Sequence, residues 1–488
     1  MNLRCISCSL HLVFIAHRIL GVLAWKWYPS ILVQVAETIL VFGDGQPSTG
    51  LDTAMTPEAH HVDDSEETRS WAGDFDPLAD PDERRVLFAT FDSFRQYRRT
   101  AHMNTTHRRR QAFYALPSSH WQMLAEPPFS LLDNFNRVDD AIDVNADIAD
   151  SILATGLSSF GIPAQPDASD PRQNWHGTAT AQDVNKAHST IRQFYRDWSA
   201  EGRPERDVCY GPVLEDLRAE FGGRLSGAGD NADDAEEIRV LVPGAGLGRL
   251  VFEICRAGFA AEGNEISYHQ LLASSWVLNH TLGARQHTLY PFALHFSNLR
   301  SREQQLQKVM IPDEHPGSAM LEAQQSGGEG TRFGSMSMSA ADFVVLYTSP
   351  SNEAAFDAVA TVFFVDTAPN LIRYVEAIRH CLKPNGVWIN VGPLLWHFEE
   401  GRGPSHREES EQARQPPTIQ QQPAGIGEPG SVELTEAEVI SLVERMGFRV
   451  EKQTPVEERQ TCGYIQDRDS MLLPLYRPAH WVARKVQS

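Results

Sequence analysis

Apolar residues recur at helical spacing through the first half of this chain and in short unbroken runs through the second half. Over 85–103 the positions Val86, Leu87, Phe91, Phe94 and Tyr97 are apolar with arginines between them, which predicts an amphipathic helix. Further helices are predicted over 106–115, 129–158 and 180–200, separated by the Pro- and Asp-rich stretch PAQPDASDPRQN. In the last of these Ile191, Phe194 and Trp198 share one face, whereas Gln193 and Arg196 stand off it, as on an exposed helix side. The segment ERDVCYGPVLEDLRAEF then leads into a Gly/Asp-rich break at 222–236.

From Ile238 the pattern changes. The run IRVLVP is a strand, Gly244-Ala245-Gly246-Leu247-Gly248 a loop, 249–256 an amphipathic helix ended by Gly258, and a second short strand stops at Glu265. A helix follows through Leu271, Leu272, Trp276 and Leu278, and 282–339 reads as a long irregular stretch. The run FDAVATVFFVD ends in an acid, as suits a buried parallel strand whose carboxyl end faces a site. A helix over 371–382 is stopped by KPNG, VWINVGPL is a strand, and Thr435 with Glu438 forms a capping-box signature. FRVEKQTPV and HWVARK supply two closing strands. Strands alternating with helices predict an α/β fold built on a Rossmann-like sheet.

Three regions are expected: a leader and acidic linker over 1–83, a helical domain over 84–236, and a cofactor domain over 237–488 with a disordered, core-less insertion at about 401–430. Residues 1–45 are apolar but interrupted by Arg4, Arg18 and Lys26, short of the roughly 18–20 uncharged residues of a bilayer span. They read as a weak anchor or targeting segment, or as an artefact of gene prediction. With 488 residues, 41% hydrophobic, the chain can build a sizeable core. A net charge of -21 argues against a nucleic-acid backbone as main partner, because phosphate binding needs a basic footprint. Six scattered cysteines show no metal-ligand spacing beyond Cys5-x-x-Cys8 and suit a reducing compartment; no metal is expected. The expected location is the cytoplasm, with the nucleus as an alternative.

The glycines of the loop let the backbone pass close to a ligand, and a carboxylate at Glu265 can accept both hydroxyls of a ribose. G-x-G-x-G in place of G-x-G-x-x-G tilts the cofactor toward S-adenosylmethionine. A Gly-rich β-α turn without ligand is the bland alternative.

The wording of five segments is more specific. IRQFYRDWSAEGRPERD, LVPGAGLGRL, GNEIS, FFVDTAPN and LKPNGVWINVGPLLWHFE resemble the carnosine N-methyltransferase family, within the class I S-adenosylmethionine-dependent methyltransferases, from about residue 84 to 485. That resemblance implies a seven-stranded sheet and a set of site residues. Gly244, Gly246 and Glu265 match cofactor-contacting positions, Gln193 and Arg196 the pair at the methionine end, and Asp342-Phe343 the pair holding adenine. Asp366, His397, Tyr464 and Tyr476 match dipeptide-binding positions. Val362 stands where the family commonly has cysteine. The implied substrate is a small histidine dipeptide and the implied product anserine.

Methyl transfer from a sulfonium is an in-line displacement, so positioning dominates. Only an unprotonated imidazole nitrogen attacks, and a carboxylate accepting hydrogen from the other nitrogen fixes the tautomer. Asp366, at a strand's carboxyl end, is the candidate for that role, with His397 as a second imidazole-binding group. Taken without the resemblance, Asp366 could cap a helix, His397 could sit in the core, and the tyrosines could simply pack. Arg196 is expected to pair with the cofactor carboxylate. The competing readings are methyl transfer to a peptide or protein histidine, a cofactor-binding scaffold without turnover, and a poorer fit, an RNA methyltransferase. A membrane partner is not expected, and a homodimer is left open.

Overall fold

The computed structural model describes residues 77–486 apart from 168, 171, 227–236, 327–332, 397, 399–424 and 426–429. Residues 1–76 of the leader and linker expected over 1–83, residues 227–236 of the break expected over 222–236, His397 and nearly all of the expected insertion therefore lie outside the described residues. Residues Arg85–Ser488 form one compact unit. Of the unit before it, Met1–Arg84, only 77–84 are described: a turn and the start of helix α1 (Pro81–His102), where Asp80 accepts the Asp82 backbone N–H at 2.8 Å.

After α1 the backbone makes one wide turn at Met103–His107 and continues as α2 (Arg108–Tyr114), α3 (Ser118–Ala125) and the long α4 (Leu131–Phe160). Helix α5 (Ala181–Trp198) opens with a capping box, Thr180 with Asp183. Helix α6 (Arg203–Ser226) carries Pro212 inside it and runs past residue 222, where a break was expected.

The sheet begins with β1 (Arg239–Pro243), followed by α7 (Arg249–Arg256), β2 (Ala260–Glu265) and α8 (Tyr268–Asn279). The expected irregular stretch holds more order than its sequence shows. It contains β3 (His287–Leu289) and β4 (Val309–Ile311), an antiparallel pair outside the main sheet, with α9 (Arg302–Gln305) between them and α10 (Pro316–Ser326) after. It ends in β5 (Met336–Ala340), which pairs in parallel with β2 from Ala261↔Met336 to Glu265↔Ala340. Three-residue strands are too short to display alternation, and MSMSA is a half-buried edge strand without an apolar run.

Then come α11 (Phe343–Tyr347), β6 (Phe356–Val362), α12 (Leu371–Cys381), β7 (Leu382–Gly392), α13 (Glu436–Arg445), β8 (Phe448–Gln453) and β9 (Ala479–Lys485). The seven-stranded sheet has the order β5-β2-β1-β6-β7-β9-β8. Only β9 runs antiparallel, to both of its neighbours. This is the class I methyltransferase architecture, α/β as expected.

Alternation along β1 sets the layers. Val240 and Val242 pack with Val213 and Leu217 of α6 and Val251 of α7, whereas Leu241 packs on the other side with Val375 and Ile378 of α12. Each such side chain taken out of water contributes about 1.5–3 kcal/mol. Cutting Ile389, fully buried at the centre of β7, to alanine is therefore expected to cost about 2–5 kcal/mol. Between β1 and its neighbours β2 and β6 the chain leaves the sheet in opposite directions, and at such a point the strand ends open a crevice.

Candidate active site

Above the carboxyl ends of β1, β2 and β6 lies a cavity of about 400 Å³. Its wall includes Gln193, Arg196, Gly244, Gly246, Glu265, Phe343, Val362, Tyr464 and Tyr476, nine positions singled out from the sequence. Positions more than 280 residues apart in the chain thus meet on one surface.

The glycine loop forms its base. Gly244 and Gly246 adopt left-handed φ values of 67° and 57°. A Cβ at Gly244 would sit 2.7 Å from the Phe364 ring, and one at Gly246 2.9 Å from Gln193 Nε2. Both the conformation and the crowding therefore require glycine here. The loop is pinned from outside: buried Trp198 donates its indole N–H to Leu247 O at 3.0 Å, and buried Arg249 donates to Asp197 O at 3.1 Å. These two bonds seat the end of α5 on the loop, and that turns Gln193 inward. Gln193 is only 5% exposed, so the solvent-facing alternative does not hold.

Glu265 closes the next side. Its carboxylate accepts backbone N–H bonds from Gly246, Ile266 and Ser267, each at 2.9 Å. Burial nevertheless raises its pKa above the usual carboxylate value, because no cation is among these partners. The Gln270 amide donates to Gln193 Oε1 at 2.9 Å. Gln193 in turn donates to Asp197 at 3.0 Å.

Arg196 is oriented by Asp197, with Nε and Nη2 at 2.7 and 3.3 Å from its two oxygens. Burial alone would depress its pKa, but this carboxylate holds it well above the ordinary value. Two of its three nitrogens are thus engaged with protein. The opposite edge of the guanidinium, formed by Nη1 and the second N–H of Nη2, can grip another carboxylate in the expected bidentate fashion while Asp197 stays in place.

Two aromatic groups stand on the cavity wall. In one, Phe364 stacks on Tyr374 at 4.9 Å and Phe343 meets both edgewise. Burial pushes the Tyr374 hydroxyl up to about 12. In the other, Phe363 packs against Tyr464 at 5.5 Å and edgewise against Tyr476 at 5.9 Å, while the Arg196 guanidinium lies 4.6 Å above the Tyr464 ring. Phe363 holds a left-handed φ of 53°, unusual for a bulky residue, and its N–H bonds Val391 O at 2.9 Å.

Asp342 is not on the wall. It caps α11, accepting the Val344 and Val345 N–H groups at 2.9 and 3.2 Å, and so sets the helix that carries Phe343. Asp366 is 1% exposed in the short turn after β6, and its Oδ2 accepts the Leu395 N–H at 2.9 Å. It lies behind Thr367 and Leu395, which are on the wall. His397 is outside the described residues.

Residues 173–487 match the family model for carnosine N-methyltransferase. The chain belongs to that family. It is 34% identical over 411 residues to a carnosine N-methyltransferase of Schizosaccharomyces pombe, covering 84% of this chain and 98% of that protein. To one of Mus musculus it is 31% identical over 405 residues, covering 83% and 87%. This family member places Gln270, Phe363, Phe364 and Tyr374 on its site beside the residues expected from sequence. Gln270 sits on an unremarkable helix face in the sequence, and only the pairing of α8 with α5 exposes its part. Phe363 and Phe364 stood in plain view in FFVDTAPN, where an apolar pair before an acid reads as the end of a strand. Among the described residues, no group of His, Cys, Asp or Glu could hold a metal, and no helix is long and apolar enough to cross a membrane.

Proposed function

We propose that this methyltransferase moves a methyl group from S-adenosylmethionine to the imidazole of carnosine, on the nitrogen nearer the side-chain methylene, giving anserine. The observation that carries the reading is one cavity walled by the bare glycine loop, the buried Glu265 carboxylate and two aromatic groups, in a chain of the carnosine N-methyltransferase family. The residues present fit the cofactor: the loop backbone lies bare where any Cβ would intrude, and Glu265 has only neutral donors around it. Glu265 would hold the ribose, the Phe343, Phe364 and Tyr374 slot the adenine, and Gln193 with Arg196 the methionine end. When bound, the cofactor supplies an electrophilic methyl group on a sulfonium.

The remaining work is positioning. Phe363, Tyr464 and Tyr476 form a face on which an imidazole ring can lie. A ring that gains charge as it is methylated is stabilised by aromatic faces. Asp366 is assigned the ring N–H, so that the nitrogen nearer the methylene keeps its lone pair for attack. Support comes from its place after β6 beside the wall residues Thr367 and Leu395, and from the Leu395 N–H that fixes one of its oxygens. Asp366→Asn should lower kcat by at least about 10²-fold while the Kd for S-adenosylhomocysteine stays within about twofold. Near-normal turnover would remove Asp366 from the reaction.

A further inference from the structure

Cys209 and Cys462 are 253 positions apart in sequence, yet their Sγ atoms face each other at 3.7 Å. Both are buried, Cys209 at 5% and Cys462 at 4% exposure. Cys209 belongs to α6, anchored against the sheet. Cys462 belongs to the connection between β8 and β9, which carries Tyr464 and Tyr476. The link to Tyr476 is direct: Cys462 N–H donates to Tyr476 O at 3.0 Å, and Tyr476 N–H donates to Cys462 O at 2.8 Å. A movement of Cys462 is therefore a movement of the tyrosine face.

We propose that this pair is an oxidation site, which a hydroperoxide closes to a Cys209–Cys462 disulfide, and that closure draws the Tyr464–Tyr476 face off its working position and stops turnover. Cys462 lines a second cleft of about 170 Å³, with Glu205, Gln466 and Arg468 on its walls, so a small polar oxidant can reach it. A water molecule needs only roughly 10–15 Å³ of such space. The other described cysteines have no thiol opposite them: Cys255 donates to Ser335 O and Cys381 to Ile378 O.

Cys462 lines the cleft and Cys209 does not, so Cys462 meets the oxidant first and is the nucleophile, with nearby Arg196 favouring its thiolate. Its thiolate attacks one peroxide oxygen, the O–O bond breaks, the other oxygen leaves as alcohol or water after taking a proton, and Cys462 becomes a sulfenic acid. Cys209 sulfur then attacks the Cys462 sulfur, the S–O bond breaks, and hydroxide departs as water with the Cys209 proton. Two thiols lose two electrons, and the peroxide is reduced. The S–S bond is about 2.05 Å long, so the sulfurs close by more than about 1.5 Å. A misplacement of about 1 Å at a positioning group costs on the order of 10²-fold in rate.

The test treats the full chain with hydrogen peroxide, maps disulfides by peptide mass, and measures methyl transfer before and after reduction with dithiothreitol. The expected result is a Cys209–Cys462 cross-link with at least tenfold loss of turnover, reversed by reductant and absent in Cys209→Ala and, separately, in Cys462→Ala. Failure to find that cross-link overturns the proposal, as does a cross-linked protein with unchanged turnover or an equal loss in both alanine variants. The functional half rests on the methyl-transfer reading. Because the cross-link is read by mass, its absence is distinguishable from an absence of methyl transfer.

Discussion

Gly246→Ala probes the loop most sharply, because its structure supplies both a conformational and a contact term. The residue holds φ 57°, and an L side chain in the left-handed region costs about 1–2 kcal/mol more than glycine. The new methyl would lie 2.9 Å from Gln193 Nε2, the far end of a flexible side chain, so Gln193 yields rather than the backbone. In yielding it gives up its bond to Asp197 at 3.0 Å and its contact with Gln270 at 2.9 Å. A bond to a carboxylate contributes about 1.5–3 kcal/mol and a neutral one about 0.5–1.5 kcal/mol, less whatever water restores at a cavity wall. With part of the two bonds restored by water, the expected stability loss is about 2–5 kcal/mol, and cofactor affinity should fall at least tenfold, equivalent to about 1.4 kcal/mol. Urea denaturation measures the first quantity and calorimetry with S-adenosylhomocysteine the second. Gly161→Ala is the matched control: its φ is 64°, with nothing within 4 Å of the added Cβ. It should lose about 1–2 kcal/mol of stability and no affinity. If Gly246→Ala binds the cofactor product within twofold of the parent, the assignment of Gln193 to the cofactor wall is wrong.

Other consequences follow from single contacts. Glu265 titrates above its usual value because it is buried, so between the unfolded and folded pKa the native state binds more protons than the unfolded chain. Stability of the ligand-free protein should therefore fall as pH rises through that window, and Glu265→Gln should flatten the dependence in urea melts at a series of pH values. Trp198→Phe removes the indole bond to Leu247 O and should cost about 1–3 kcal/mol, with weaker S-adenosylhomocysteine binding in the same calorimeter. Tyr464→Ala should raise the KM for carnosine while leaving S-adenosylhomocysteine affinity unchanged; a loss of cofactor binding instead would assign Tyr464 to the cofactor.

Local chemistry made the central strands and their loop legible. Val240–Pro243 is buried throughout, the three loop glycines all hold positive φ, and Glu265 ends the next strand, so one short window carried the signal. Phe356–Val362 and the Thr435 cap were readable for the same reason. Gln193 was harder. Its helix periodicity pointed it at solvent, and only the seating of α5 on the loop through Trp198 and Arg249 turned it inward. Strand β5 could not be read, since its residues stand half-buried at an edge and owe their conformation to pairing with β2. Asp342 and Phe343 separate in a way adjacency in sequence hides: one caps a helix, and the other faces the cavity.

Methylation of the carnosine ring at the nitrogen nearer the methylene is the reaction proposed for this cavity. The direct measurement incubates the purified chain with methyl-labelled S-adenosylmethionine and carnosine, then locates the label by product mass and ring-position NMR. The expected result is a single labelled product, anserine. Label on the far nitrogen would contradict the tautomer assignment, and label taken up by a histidine peptide but not by carnosine would contradict the substrate.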